Sequence, residues 1–145
     1  MLPEAIELQV VTPQRHVLQE TVQAIEIPGK EGYLGVLPGH APLITELGIG
    51  ILAYRKGAET RYLTIVHGYA EVLPDRVIVL AEISERAEEI DVERTRAAQE
   101  RAQAELAKAS AGSEEWQQQR LAVDRAMVRM QAVAKVGAPA GAHKH

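Results

Sequence analysis

The sequence predicts an α+β protein: an N-terminal antiparallel β-sandwich followed by a C-terminal antiparallel two-helix hairpin. Three observations carry that reading. Short runs of alternating apolar and polar residues, punctuated by Gly and Pro, fill the first 84 or so positions. From Asp91 to Ala109 there is no Gly or Pro, and the apolar residues recur at helical spacing. A single small-residue break, Ser110-Ala-Gly-Ser113, then separates two such runs. The expected domains are a sandwich over 1–85, a helical hairpin over 86–137 and a flexible tail over 138–145.

In chain order, Ile6, Leu8 and Val10 alternate with Glu7 and Gln9 as a half-buried strand, ended by Pro13 before a short stretch around Val17. Val22, Ala24, Ile25 and Ile27 form a strand over 21–27 whose alternation changes phase midway, as a bulge or twisted edge would make it do. The 31–42 stretch packs Gly32, Gly35, Gly39, Pro38 and Pro42 around Tyr33, Leu34, Val36, Leu37 and His40, and reads as a shaped loop pinned to a core. Residues 49–54 and 61–66 form a hairpin across Lys56-Gly57, and 68–73 and 76–81 a second across Pro74-Asp75. Val77, Val79 and Ala81 against Ile78 and Leu80 make the last strand apolar on both faces, as in a central or sandwiched strand.

Residues 85–89 read as a charged connector. Asp91 is placed to cap the first helix, with Glu93 at the positive end of its dipole. Ala98, Ala102, Leu106 and Ala109 form its apolar stripe, and Val123, Met127, Met130 and Ala134 that of the second helix over 114–136. An alanine-rich stripe buries little, so the hairpin is expected to depend on a partner or ligand. The 137–145 segment reads as a frayed tail, and its His143 and His145 as no more than an adventitious metal contact.

Composition narrows function. With no cysteine there is neither a disulfide framework nor a thiolate nucleophile. A net charge of -4 without a basic face in the β half argues against nucleic-acid binding. No apolar run is long enough to span a membrane, and no basic-then-apolar leader opens the chain. His40 and His67 belong to no metal-spaced cluster, and no nucleophile triad or phosphate-binding Gly loop is evident, so no catalytic or metal residue is assigned. Folding the helices about Ala111-Gly112 sets Arg94 opposite Arg129, with Arg125 between the levels of Arg94 and Arg101. Arg94 and Arg101 share one helix face, and Arg125 and Arg129 share another. If those faces agree, four guanidiniums converge on an anion such as a phosphate. The alternative is a solvated surface on which Glu93, Glu100, Glu105 and Asp124 neutralise the arginines locally.

Gly32-x-x-Gly35-x-x-Pro38-Gly39-His40-x-Pro42 resembles the hallmark loop of the bacterial F-type ATP synthase ε subunit. Val10-Val11-Thr12-Pro13, Gly68-Tyr-Ala-Glu-Val72, Val79-Leu-Ala81 and the strands-then-hairpin order fit as well. The resemblance implies a ten-stranded β-sandwich docking on the γ subunit and c-ring, with Gly32, Tyr33 and His40 near those contacts. It further implies a non-catalytic rotor subunit, peripheral on the cytoplasmic face of the bacterial inner membrane. Its helices would restrain ATP hydrolysis when extended toward the β (and α) subunits. Some members bind ATP in the folded hairpin through [IL]-D-x-x-R-A, which Ile90-Asp91-Val-Glu-Arg94-Thr95 matches except at Thr95. Glu85, Arg101, Arg125 and Arg129 fall on the same pattern, so ATP is the implied regulatory ligand, with no required cofactor. Thr95 places a methyl and a hydroxyl where a small residue would meet the nucleotide. Two other classes stay open on sequence: a free-standing nucleotide-sensing module, and an enzyme using His40 or His67.

Overall fold

A computed structural model describes residues 2–136. The predicted tail and its histidines lie outside them. The chain divides into two units, Met1–Ala87 and Glu88–His145, each described by itself.

The first unit holds seven strands among the described residues: β1 (Ile6–Val11), β2 (His16–Val22), β3 (Ala24–Gly29), β4 (Gly32–Val36), β5 (Leu43–Lys56), β6 (Glu59–Leu73) and β7 (Arg76–Arg86). They hydrogen-bond in the order β2-β1-β7-β6-β5-β3-β4. Neighbours are antiparallel except β1 and β7, which run parallel.

Strands β5, β6 and β7 are longer than the sequence reading allowed, and each passes through one shared row. Gly48, His67 and Glu82 drop out of the ladders at the same level, with Leu47 paired to Gly68 and Ile49 to Val66 on either side. Across that row the residues of the main core cluster reverse parity. Leu47 gives way to Leu52 and Tyr54 on β5, and Leu63 and Ile65 to Ala70 and Val72 on β6. On β7, Val77, Val79 and Ala81 give way to Ser84. Strand side chains alternate faces, so one unpaired residue per strand turns the inward face over and lets the same chain line both sides of one core. His67 takes φ 54° and Gly68 φ 122° to make the turn. A Cβ at Gly68 would overlap the Leu80 carbonyl oxygen. The residues expected to start a new strand at Gly68 therefore continue β6. The ten strands implied by resemblance become seven, because three of them cross the row without ending.

Two other elements differ from expectation. The 21–27 strand is two strands parted at Gln23: β2 pairs with β1, while β3 pairs with β4 and β5. That change of partner is the phase change seen in the sequence. Residues 32–36 of the Gly/Pro stretch are edge strand β4 rather than loop, leaving the turn at Glu31 and 37–42 irregular. Its glycines do not prevent pairing, since Gly32 faces Gly29 and Gly35 faces Glu26.

In the second unit, a 3₁₀ turn (Ala87–Glu89) precedes α1 (Val92–Lys108) and α2 (Glu114–Val136), which pack against each other. Residues 85 and 86, read as connector, belong to β7. Asp91 caps α1, its carboxylate accepting the Arg94 N–H at 3.1 Å. Ser113 caps α2 through Trp116 N–H at 3.1 Å. The α1 stripe is the expected one, with Ala102 buried and Ala98, Leu106 and Ala109 half-buried. On α2 Met127 and Ala134 are exposed instead. The buried residues are Val123, Ala126, Val128 and Ala132. Small side chains let the backbones approach, and the longer Met127, picked for its apolar bulk, projects outward.

Candidate functional site

Three surfaces bear on function. The first is the 37–42 loop. His40 N–H donates to the Leu37 carbonyl at 3.1 Å, closing a turn, and Gly39 N–H donates to Pro74 O at 2.7 Å, tying it to the β6–β7 turn. The His40 ring is spent locally: Nδ1–H donates to Ala41 O at 2.7 Å. Gly39 takes φ 87°, and Leu2 packs where its Cβ would lie. Leu2 and Leu37 stand exposed beside it. Gly32, with φ 136°, opens β4, and Tyr33 beside it lies exposed against β5, its hydroxyl accepting Ile51 N–H at 3.0 Å.

The second surface was not singled out from sequence. On the outward face of β5–β6–β7, Ile44, Tyr69 and Leu80 are all more than half exposed. Tyr69 pairs with Leu80 and Leu80 with Val11, making an apolar row across three strands. Leu80 was read as buried on a two-sided strand. The signal was present in the alternation, since Leu80 is out of step with Val79 and Ala81. Ordinary sheet faces are polar, so an apolar row in water marks a contact surface.

The third is the hairpin. At about 100° per residue, Arg94 and Arg101 flank the same side of the buried α1 stripe of Thr95 and Ala102. On α2, Arg125 and Arg129 lie on the arc between two buried stripes, Val123–Ala126 and Val128–Ala132, and both are half-buried. Three of the four carboxylates that were to neutralise them pair with other cations: Glu93 with Arg96 at 3.5 Å, Glu105 with Lys108 at 3.9 Å and Asp124 with Arg120 at 3.9 Å, while Glu100 is exposed on α1. Among the described residues, Arg94, Arg101 and Arg125 make no ion pair. Ile90 is buried just before the cap. The Thr95 side chain is 1% exposed, and its hydroxyl donates back to Asp91 O at 2.8 Å, so its oxygen is occupied within the helix. Glu85 lies in the first unit, on β7, where its N–H donates to Thr64 Oγ1 at 3.0 Å. Among the described residues no group of His, Asp and Glu is placed to hold a metal, and no helix is long and apolar enough to cross a membrane.

A β-sheet unit with an outward apolar row, followed by a small-residue helical hairpin, defines a two-module α+β protein that presents contact surfaces. Residues 5–87 match the family model for the β-sandwich domain of the ATP synthase delta/epsilon chain, and residues 88–134 that for its long α-helix domain. The ATP synthase epsilon chain of Koribacter versatilis is 51% identical over 105 residues, 72% of this chain and 74% of that one. Epsilon chain 2 of Syntrophotalea carbinolica is 43% identical over 136 residues, 94% and 99% of the two chains. A chain of the Euglena gracilis mitochondrial ATP synthase OSCP/F1/c-ring assembly superposes with a TM-score of 0.77 at 29% identity, covering 92% of this chain and 84% of that one. The chain belongs to the ATP synthase delta/epsilon family, as an epsilon subunit and a component of the central stalk.

Proposed function

We propose that this subunit is a non-catalytic rotor element that couples ion translocation to ATP synthesis and restrains ATP hydrolysis through its two helices. Its sandwich docks on the γ subunit and the c-ring, and its extended helices reach the β and α subunits. It then sits as a peripheral protein on the cytoplasmic face of the bacterial inner membrane. The exposed apolar Tyr69–Leu80 row and the tied-down Leu37–His40 tip are the two surfaces of the sandwich that support docking on partners.

The regulatory ligand is ATP, held in the folded hairpin by Arg94, Arg101, Arg125 and Arg129, with Ile90, Asp91 and Thr95 framing the helix start. Glu85 belongs to the same pattern by resemblance. The observation that carries this is the set of unpaired Arg94, Arg101 and Arg125, with Glu93, Glu105 and Asp124 committed to other cations. Like charges gathered along a hairpin raise its energy until an anion joins them, and guanidinium forks suit phosphate oxygens. ATP thereby selects the compact hairpin over the extended, inhibitory one. At a hundred times its dissociation constant the bias is about 2.7 kcal/mol.

Titrating ATP into the full chain is expected to give saturable binding that falls at least about tenfold in Arg94→Ala and Arg101→Ala, a charge-assisted contact being worth about 1.5–3 kcal/mol. Equal binding by parent and variants would remove the site. Deleting residues 90–145 is expected to raise ATP hydrolysis by the assembled catalytic head, and an unchanged rate would remove the inhibitory role.

A further inference from the structure

We infer that Tyr33 is a positioning residue: its side chain bridges from β4 across β3 to the backbone of β5 and so holds the 37–42 loop in place. The loop leaves β4 at Val36 and enters β5 at Leu43, yet β4 and β5 are not neighbours; β3 lies between them. Its two legs therefore share no ladder hydrogen bonds. Besides the Gly39–Pro74 bond at the loop's tip, the link between the two strands that flank the loop is the Tyr33 side chain.

The reason lies in Pro28. Pairing of β3 with β5 runs from Ala24 to Glu26, lapses, and resumes only at Gly29 with Leu47. Opposite the two residues skipped on β3, β5 carries 48–52, so it bulges away and its amides on that side lose their strand partner. Pro28 has no N–H to donate to a β5 carbonyl, so the ladder is interrupted there, and the parted Ile51 N–H needs an acceptor from elsewhere. The Tyr33 hydroxyl accepts Ile51 N–H at 3.0 Å and supplies the missing partner.

The ring has a berth made for it. A Cβ on Gly50 would stand 2.6 Å from the Tyr33 hydroxyl oxygen and 2.7 Å from Pro28 Cβ, so glycine at 50 is what leaves room for the phenol's hydroxyl end beside Pro28. Proline, glycine, bulge and phenol form one device. Tyr33 is 57% exposed, and the family resemblance implies a partner contact there, but its hydroxyl is turned to the chain's own backbone.

Amide hydrogen exchange on the full chain, resolved by residue, tests this. Tyr33→Phe keeps the ring and deletes the acceptor. It is expected to speed exchange of the Ile51 amide about tenfold, the equivalent of one net hydrogen bond. The 37–42 amides should speed up with it, while those of Leu63 and Val79 and the thermal midpoint stay as in the parent. Gly50→Ala keeps the hydroxyl but evicts the ring, and is expected to give the same pattern. An Ile51 amide that exchanges at the parental rate in Tyr33→Phe overturns the bridge; a faster Ile51 beside an unaltered loop overturns the positioning role. The functional arm rests on the docking reading above. Tyr33→Phe is expected to weaken assembly with the rest of the rotor several-fold, and Leu37→Glu to weaken it without changing Ile51 exchange. Normal assembly of Leu37→Glu counts against docking through the loop and leaves the exchange result to decide the bridge.

Discussion

The sandwich and the hairpin are both closed by buried side chains, but of very different size. All of the largest fully buried residues, among them Ile6, Leu8, Leu47, Leu52, Leu63 and Ile65, belong to the sandwich. Within its helices the hairpin buries Thr95, Ala102, Val123, Ala126, Val128 and Ala132, none larger than valine. Burying a leucine or isoleucine stabilises by about 1.5–3 kcal/mol, while alanine offers a single methyl. The difference separates a strongly packed frame from a weakly packed hairpin. Under the function proposed above, the first would present fixed surfaces during rotation and the second would be the part whose opening a ligand sets.

The comparison breaks most visibly at the row where β5, β6 and β7 turn their faces over. Gly68→Ala puts a Cβ into the Leu80 carbonyl and forces an L-residue to φ 122°. It is expected to cost about 3 kcal/mol or more, measured by urea denaturation. A variant as stable as the parent would mean that the turned-over row is not what shapes the sandwich.

Next in size is a matched pair. Leu63→Ala in the sandwich is expected to cost about 3 kcal/mol, and Val123→Ala in the hairpin about 1.5 kcal/mol. The chain carries its own reporters: Trp116 lies on α2, whereas Tyr33, Tyr54, Tyr62 and Tyr69 all lie in the sandwich. Val123→Ala should lower the tryptophan transition and leave the tyrosine transition in place, and Leu63→Ala should do the reverse. A single shared transition in both variants would show one cooperative body, and the contrast drawn here would fall.

How far sequence reached divides along the same line. Where one local rule governs, it was legible: Asp91 as a cap, the Gly57 and Pro74-Asp75 turns, the break before Ser113 and the α1 stripe all depend on residues within one helical or strand turn. Where a feature arises between strands, it was not. The Gly48–His67–Glu82 row is a coincidence of level among three strands distant in sequence, and no one of them announces it. Each parity reversal looked like the end of a strand, so β6 was divided at Gly68. On α2 the error was one of chemistry rather than geometry: bulk suggested Met127, while close approach of helices selects Ala126. For the arginines, spacing placed them on helix faces, but which carboxylates take which cations became visible only with side chains in place.

The smallest effect is specific to the sandwich and concerns alkaline pH. Burial, and after it the nearby Glu26 carboxylate, hold the Tyr62 phenol above its ordinary pKa of 10.0. The folded chain thus keeps a proton that the unfolded chain releases once pH passes about 10, and stability falls as pH rises from there through the folded value. Below that window the neutral phenol is present in both states and contributes no slope. Tyr62→Phe is therefore expected to flatten the decline of the tyrosine-monitored thermal midpoint above about pH 10 and to leave the tryptophan-monitored transition alone. Glu26→Gln should flatten it only in part, since the carboxylate is the lesser cause. An alkaline limb equally steep in Tyr62→Phe and the parent would mean that the loss arises from other groups, and that the buried phenol is not what sets the sandwich apart from the hairpin at high pH.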